Sequence, residues 1–229
     1  MVKRLRRAGL QLLPGGVPAV TTPPSVMSLL TTCGNEDRRR DAAVDGEAWA
    51  DGWLEENPDF VPRANAVWHA LAVEHQLFGP EGDFLLLVGR HWRRVHLLDE
   101  WDLIGAGSAS RLLGSATAGC PEFAMTSLDG RVALRGTTYQ SCISSLVVPV
   151  PWLAPTVRAY MGRLGDRVAR GLDTDPENVA TVRAWERYVR HQRAMEDAYV
   201  ARPAGSVACV TVAGAPHPGA HGGGRAAGR

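Results

Sequence analysis

The chain has 229 residues, 45% hydrophobic and 21% charged, with a formal net charge of +1, the balance of a soluble globular protein able to bury one substantial core. The charge is uneven: residues 1–26 carry Lys3, Arg4, Arg6 and Arg7 and no acid, residues 201–229 carry Arg202, Arg225 and Arg229 and no acid, and the remaining 18 basic residues face all 24 acids, leaving residues 27–200 six negative. An acidic body argues against nonspecific nucleic-acid binding, and no run of about 18 apolar residues offers a membrane helix.

Residues 1–45 read as a poorly ordered basic leader. Gln11 and Pro14-Gly15-Gly16 break the apolar run after Lys3–Arg7, too early for a secretory signal, so a cytoplasmic location is expected. The bias to Arg, Ala, Gly and Pro fits a high-GC bacterial coding sequence, in which Met1–Val26 is an over-extended start and Met27 an alternative initiator. Residues 46–200 are expected to form one α+β domain. In Glu47–Glu56, Trp49 and Trp53 sit four apart and predict a short helix. Pro62 suits a first helical position, and Val67, Ala70 and Leu71 carry that second helix to about Gln76.

Phe84–Val88 and Trp92–Leu98 flank Gly89-Arg90 and predict a hairpin. Ser108–Ala118 reads as a modest helix weakened by Gly114. Three strands follow, near Phe123–Ser127, Arg131–Arg135 and Cys142–Val148, the first two joined by the Asp129-Gly130 turn. Val157, Tyr160, Met161, Leu164 and Val168 form the apolar stripe of a helix over Thr156–Leu172. Asp175-Pro176 opens a last helix to about Val200. Residues 201–229 read as a disordered Gly/Ala/Pro-rich tail. The expected architecture is a five-stranded antiparallel sheet flanked by helices, in the order ααββαβββαα. Between about Pro62 and Leu172 this element order resembles that of PAS, GAF and roadblock domains, which implies a sensing or docking role and carries over no site residues.

Three constellations invite chemistry. Gly105, Gly107 and Ser108, within Leu103–Ser110, resemble the glycine-rich turn that seats an anion or a nucleotide pyrophosphate on backbone amides, although Ser110 stands at the third glycine. Arg90, Trp92, Arg93, Arg94 and His96 place three guanidiniums and an indole on one short strand, a set suited to a small anionic ligand or to a charged sheet edge. Cys142 with His91 or His96, oriented by Asp99, would make a thiolate pair if the sheet joined them. Cys33, Cys120, Cys142 and Cys209 lie 87, 22 and 67 positions apart, without zinc spacing, so no metal and no cofactor is expected. Arg183, Arg187, Arg190 and Arg193 lie mostly on one side of the last helix, interleaved with Glu186, Glu196 and Asp197, where solvated ion pairs are expected. Together these features favour a regulatory or interaction module that binds a partner protein, a second copy of itself or a small anionic ligand. A nucleotide-dependent enzyme using Gly105–Ser110 and a DNA-associated accessory protein remain alternatives.

Overall fold

The computed structural model of the protein describes residues 1–30, 44–49, 59–113, 121–139 and 142–200. In chain order its elements are α1 (Val2–Arg7), β1 (Leu10–Leu12), α2 (residues 24–30), β2 (Val44–Trp49), α3 (Phe60–Glu74), β3 (Asp83–Val88) and β4 (His91–Leu97). There follow α4 (Gly105–Ala109), β5 (Phe123–Thr126), β6 (Val132–Thr138), β7 (Cys142–Pro149), α5 (Pro155–Ala169) and α6 (Pro176–Val200). The fold is α+β, with a single sheet in the order β1-β4-β3-β5-β6-β7-β2, every neighbouring pair antiparallel.

The five expected strands are β3 to β7, and they form the contiguous middle of this sheet. Two further strands, β1 and β2, correct the five-stranded expectation by extending it at opposite edges. The local signals hold where they are strongest. Gly130 turns with φ 72°, and the Asp129 carboxylate accepts from the Ser127 hydroxyl at 2.6 Å and the Arg131 amide at 3.0 Å. Asp175 accepts from the Glu177 amide at 2.8 Å, capping α6 behind Pro176.

Alternation along the strands divides the core in two. Leu86, Met125, Leu134 and Val147 are successive cross-strand partners in one row, and they pack under α1 and α3 with Leu5, Phe60 and Trp68. Leu85, Ala124, Ala133, Leu146 and Val148 face the other way, onto Met27 of α2, Trp152, Met161 of α5, and Trp185 and Tyr188 of α6. Both faces of the sheet are thus covered. At Gly136 an added Cβ would lie 2.1 Å from the Phe123 ring, so the glycine is what lets that aromatic lie flat on the sheet.

Residues 1–30 correct the expectation of a poorly ordered leader. Leu5, Ala8 and Leu10 are buried in the first cluster and Val26, Met27 and Leu30 in the second, so this segment straps the sheet edge from one face to the other. β1 pairs with β4 on the way, from Leu10↔Leu97 to Leu12↔Val95. The reason is apolar content: Leu5, Ala8 and Leu10 fill a face that α3 and α4 alone leave uncovered. Glu47–Trp49 is likewise strand and not helix. β2 runs in register with β7 from Val44↔Val147 to Trp49↔Cys142, and a six-residue ladder outweighs one pair of tryptophans at helical spacing. The rest of that expected helix, Trp53 included, lies outside the described residues. α4 starts three residues before the helix expected at Ser108, and Gly114–Ala118 and the tail 201–229 also lie outside the described residues.

Candidate functional site

The structure separates the five residues expected to hold an anion. β4 is an interior strand between β1 and β3, so its charges do not guard an edge. Alternation sends Trp92, Arg94 and His96 to the α5–α6 side and Arg93 with Val95 to the α3 side. Trp92 is buried and donates its indole N–H to the Thr22 carbonyl at 2.8 Å. Arg94 donates from Nε at 2.7 Å and from Nη2 at 2.5 Å to one oxygen of buried Asp83. Its charge is thus neutralised within the fold. Arg93 is half-buried, with an Nε that has no hydrogen-bond partner among the described residues, His96 is half-buried, and Arg90 is exposed at the hairpin turn, 3.8 Å from Glu177. No common anion seat results.

The glycine-rich turn is placed beside a cleft, but with the opposite sign of charge. The Asp102 carboxylate accepts from the Gly105 amide and the Ala106 amide, both at 2.9 Å, so the amides that would hold a phosphate already hold an acid. Asn65 fixes that acid from α3: its Nδ2 donates to Asp102 at 2.7 Å, while its Oδ1 accepts from the Ile104 amide and the Trp68 indole, each at 3.2 Å. Gly107 is buried inside α4, and Ser108 Oγ has no partner among the described residues and caps nothing. The anion or nucleotide seat expected at Gly105, Gly107 and Ser108 is corrected accordingly: a second negative group there would meet a carboxylate.

Between α3 and the Trp101-Asp102 segment opens a cleft of about 520 Å³ lined by Val61, Asn65, His69, Trp101 and Asp102 among others. The His69 and Trp101 rings stack at 4.9 Å between centroids, and Trp68 meets Trp101 edge-on at 5.0 Å. Burial holds the His69 imidazole below its usual pKa, because the charged form loses hydration. Asp102 is the one formal charge among the described residues lining this cleft. A smaller groove of about 270 Å³ lies between the Asp129–Arg131 turn and the end of α6, bordered by His191, Met195 and Tyr199.

The Cys142 nucleophile is not assembled. Cys142 is buried in β7, and β3, β5 and β6 separate β7 from β4 and its histidines; four strand spacings are about 19 Å. Among the described residues, no group of three or more His, Cys, Asp or Glu side chains is arranged to hold a metal ion, and no helix is long and apolar enough to cross a membrane.

The outward face of the α5–α6 hairpin differs from its expectation more informatively. α5 exposes Arg158, Arg163 and Arg167, Arg170 is exposed at its C-cap, and α6 exposes Arg183, Arg187, Arg190 and Arg193. Arg183, Arg187 and Arg190 recur at turn spacing and form one stripe. Within 4.0 Å and among the described residues, only Arg167 has a carboxylate, that of Asp173 at 3.5 Å. Among the described residues none of the α6 arginines closes an ion pair with Glu186, Glu196 or Asp197; Glu196 lies instead 3.9 Å from Arg131 of the β5–β6 turn.

Asp102, Asn65 and His69 carry no signal in the sequence: the N-cap position of α4 is Ile104, and only the tertiary fold brings Trp101 and Asp102 to Asn65 and His69 on α3. Comparison with known proteins finds no matching family model, no matching curated protein and no matching solved structure.

Proposed function

We propose that this chain is a regulatory interaction module, not an enzyme, and that it docks an acidic partner protein on the arginine-bearing face of α5 and α6. One observation carries the reading: seven of the eight exposed arginines on that hairpin have no carboxylate within 4.0 Å among the described residues. Guanidiniums left to water are free to form bidentate contacts with a partner's carboxylates. The Arg183, Arg187 and Arg190 stripe concentrates positive charge on a hairpin whose residues 155–200 otherwise carry five arginines against seven acids, and such local contrast orients an encounter and selects its partner. Exposed Tyr160 and Leu172, on and beside the same hairpin, add apolar contact. The order of elements, similar to that of PAS, GAF and roadblock domains, agrees with a docking role by analogy alone. The nucleotide-enzyme reading loses its support with the amides of Gly105 and Ala106 engaged by Asp102.

The test is fluorescence anisotropy with labelled poly-L-glutamate, titrated with the parent and with an Arg183→Glu/Arg187→Glu/Arg190→Glu variant at several salt concentrations. Exposed charge reversal leaves the fold intact, so circular dichroism should be unchanged. Binding that weakens at least about tenfold in the variant, and also weakens with salt, supports the reading. Equal binding by both proteins removes the face from it. A parallel titration with duplex DNA decides the remaining alternative: tighter binding to DNA than to polyglutamate, with a steep salt slope, transfers the face to a DNA-associated role.

A further inference from the structure

We infer that the cleft between α3 and the Trp101-Asp102 segment is a binding site for a small organic cation of the alkylated ammonium class. The site is independent of the α5–α6 face and opposite to it in sign. Three features of the cleft point to this chemistry.

The first is a fixed negative charge without a resident counter-ion. Asp102 lines the cleft, is held by the Gly105 amide, the Ala106 amide and the Asn65 amide group, and has no Lys or Arg within 4.0 Å among the described residues. These three donors use part of the capacity of the two oxygens, and the carboxylate keeps a lone pair and its full charge. The second is an aromatic wall. Trp101 and His69, stacked at 4.9 Å, border the same space, and aromatic faces attract weakly hydrated cations. The lowered pKa of His69 keeps that ring neutral near pH 7, so it does not compete as a cation. The third is the apolar remainder: Val61, Pro62, Ala66 and Ala70 complete the lining. Methylated ammonium groups accept such walls, whereas a hydrated metal ion needs several oxygen ligands. The volume of about 520 Å³ lies within the range of small-molecule sites.

Choline and its neutral isostere 3,3-dimethyl-1-butanol isolate the role of charge. Ligand-observed NMR or calorimetry on the full chain should show choline bound, and the neutral alcohol weaker by at least about tenfold. Asp102→Asn should abolish that preference, and Trp101→Leu should weaken choline by about tenfold or more. His69→Ala, which leaves Asp102 and its donors in place, serves as a second wall variant should Trp101→Leu fail to fold; it too should weaken choline. The α5–α6 charge-reversal variant should bind choline like the parent, which keeps a failure of either proposal distinct from the other. No saturable choline binding up to about 20 mM, equal affinity for the two ligands, or unchanged affinity in the wall variants would overturn the assignment and leave Asp102 as the structural lock of α4 alone.

Discussion

The hydroxyl of Tyr188 donates to the carbonyl of Gly130 at 2.7 Å. One turn further along α6, Gln192 donates from Nε2 to the Asp129 carbonyl at 2.6 Å. The last helix therefore grips the backbone of the Asp129-Gly130 turn, joining the C-terminal helical layer to the hairpin at the centre of the sheet. Burial raises the phenol's pKa well above its ordinary value, because the phenolate would lose its hydration.

Tyr188→Phe should therefore destabilise the protein by about 1–3 kcal/mol in urea unfolding near neutral pH, since it leaves a buried carbonyl without its donor. Its pH dependence is also defined. A phenol with a raised folded-state pKa contributes stability that is complete below about pH 10 and is lost as the unfolded state begins to ionise above it. The gap between parent and variant should narrow as pH rises beyond about 10. A constant gap across that window would mean that Tyr188 is not shielded as described.

Asp83 and Arg94 make the second prediction. The Asp83 side chain is 2% exposed and that of Arg94 30%, so removing the guanidinium strands a buried carboxylate. Arg94→Leu should cost about 3–5 kcal/mol. Adding Asp83→Asn should recover a substantial part of that loss, because the uncompensated charge is gone. Equilibrium denaturation of the two single variants and the double variant gives the coupling directly. A double variant as unstable as the sum of its parts would show that the two side chains act separately.

Gly9 and Gly16 form a matched pair for the third. Both have positive φ, 69° and 77°, so alanine strains the backbone at either by about 1 kcal/mol. Only at Gly9 does the added Cβ collide, 2.3 Å from the Glu100 carbonyl oxygen and the Trp101 Cα; at Gly16 it meets nothing within 4 Å. Gly9→Ala should be the more destabilising by at least about 2 kcal/mol in chemical denaturation. Similar losses at the two positions would place the corner between α1 and β1 further from Trp101 than described.

The α5–α6 hairpin yields a fourth. Among the described residues its outward arginines carry no network of ion pairs, so neutralising Arg183, Arg187 and Arg190 to Gln should change the melting temperature by no more than a few degrees. A large loss of stability would show that these side chains serve the fold and not an encounter with a partner.

What the sequence made legible was local. The β3–β4 hairpin, the Asp129-Gly130 turn and the Asp175-Pro176 start of α6 depend on residues a few positions apart and are found within one or two residues of their expected places, whereas α5 ends at Ala169, three residues short of Leu172, with Tyr160 of its expected stripe exposed. What escaped was non-local. β1 is three residues long and acquires its identity from β4, more than eighty positions away. β2 becomes strand because β7 offers an open edge, an influence that the Trp49–Trp53 spacing does not record. At the candidate sites, the glycines around Gly105 and the arginines along β4 are legible in the sequence. Their chemistry depends on Asp102 and Asp83, which neutralise the groups that drew attention to them.

The strap formed by residues 1–30 bears on how the molecule is made. Its contacts are with Val95 to Leu97, Trp92 and Thr126, all synthesised long after it emerges. Leu5, Leu10 and Met27 must therefore stay in water until at least the first five strands of the sheet exist, an interval in which an exposed amphipathic segment is open to chaperones and to mispairing. Such widely separated pairings imply slow, late closure of the sheet edge, and the nascent chain is most vulnerable in the interval before β4 and β5 appear.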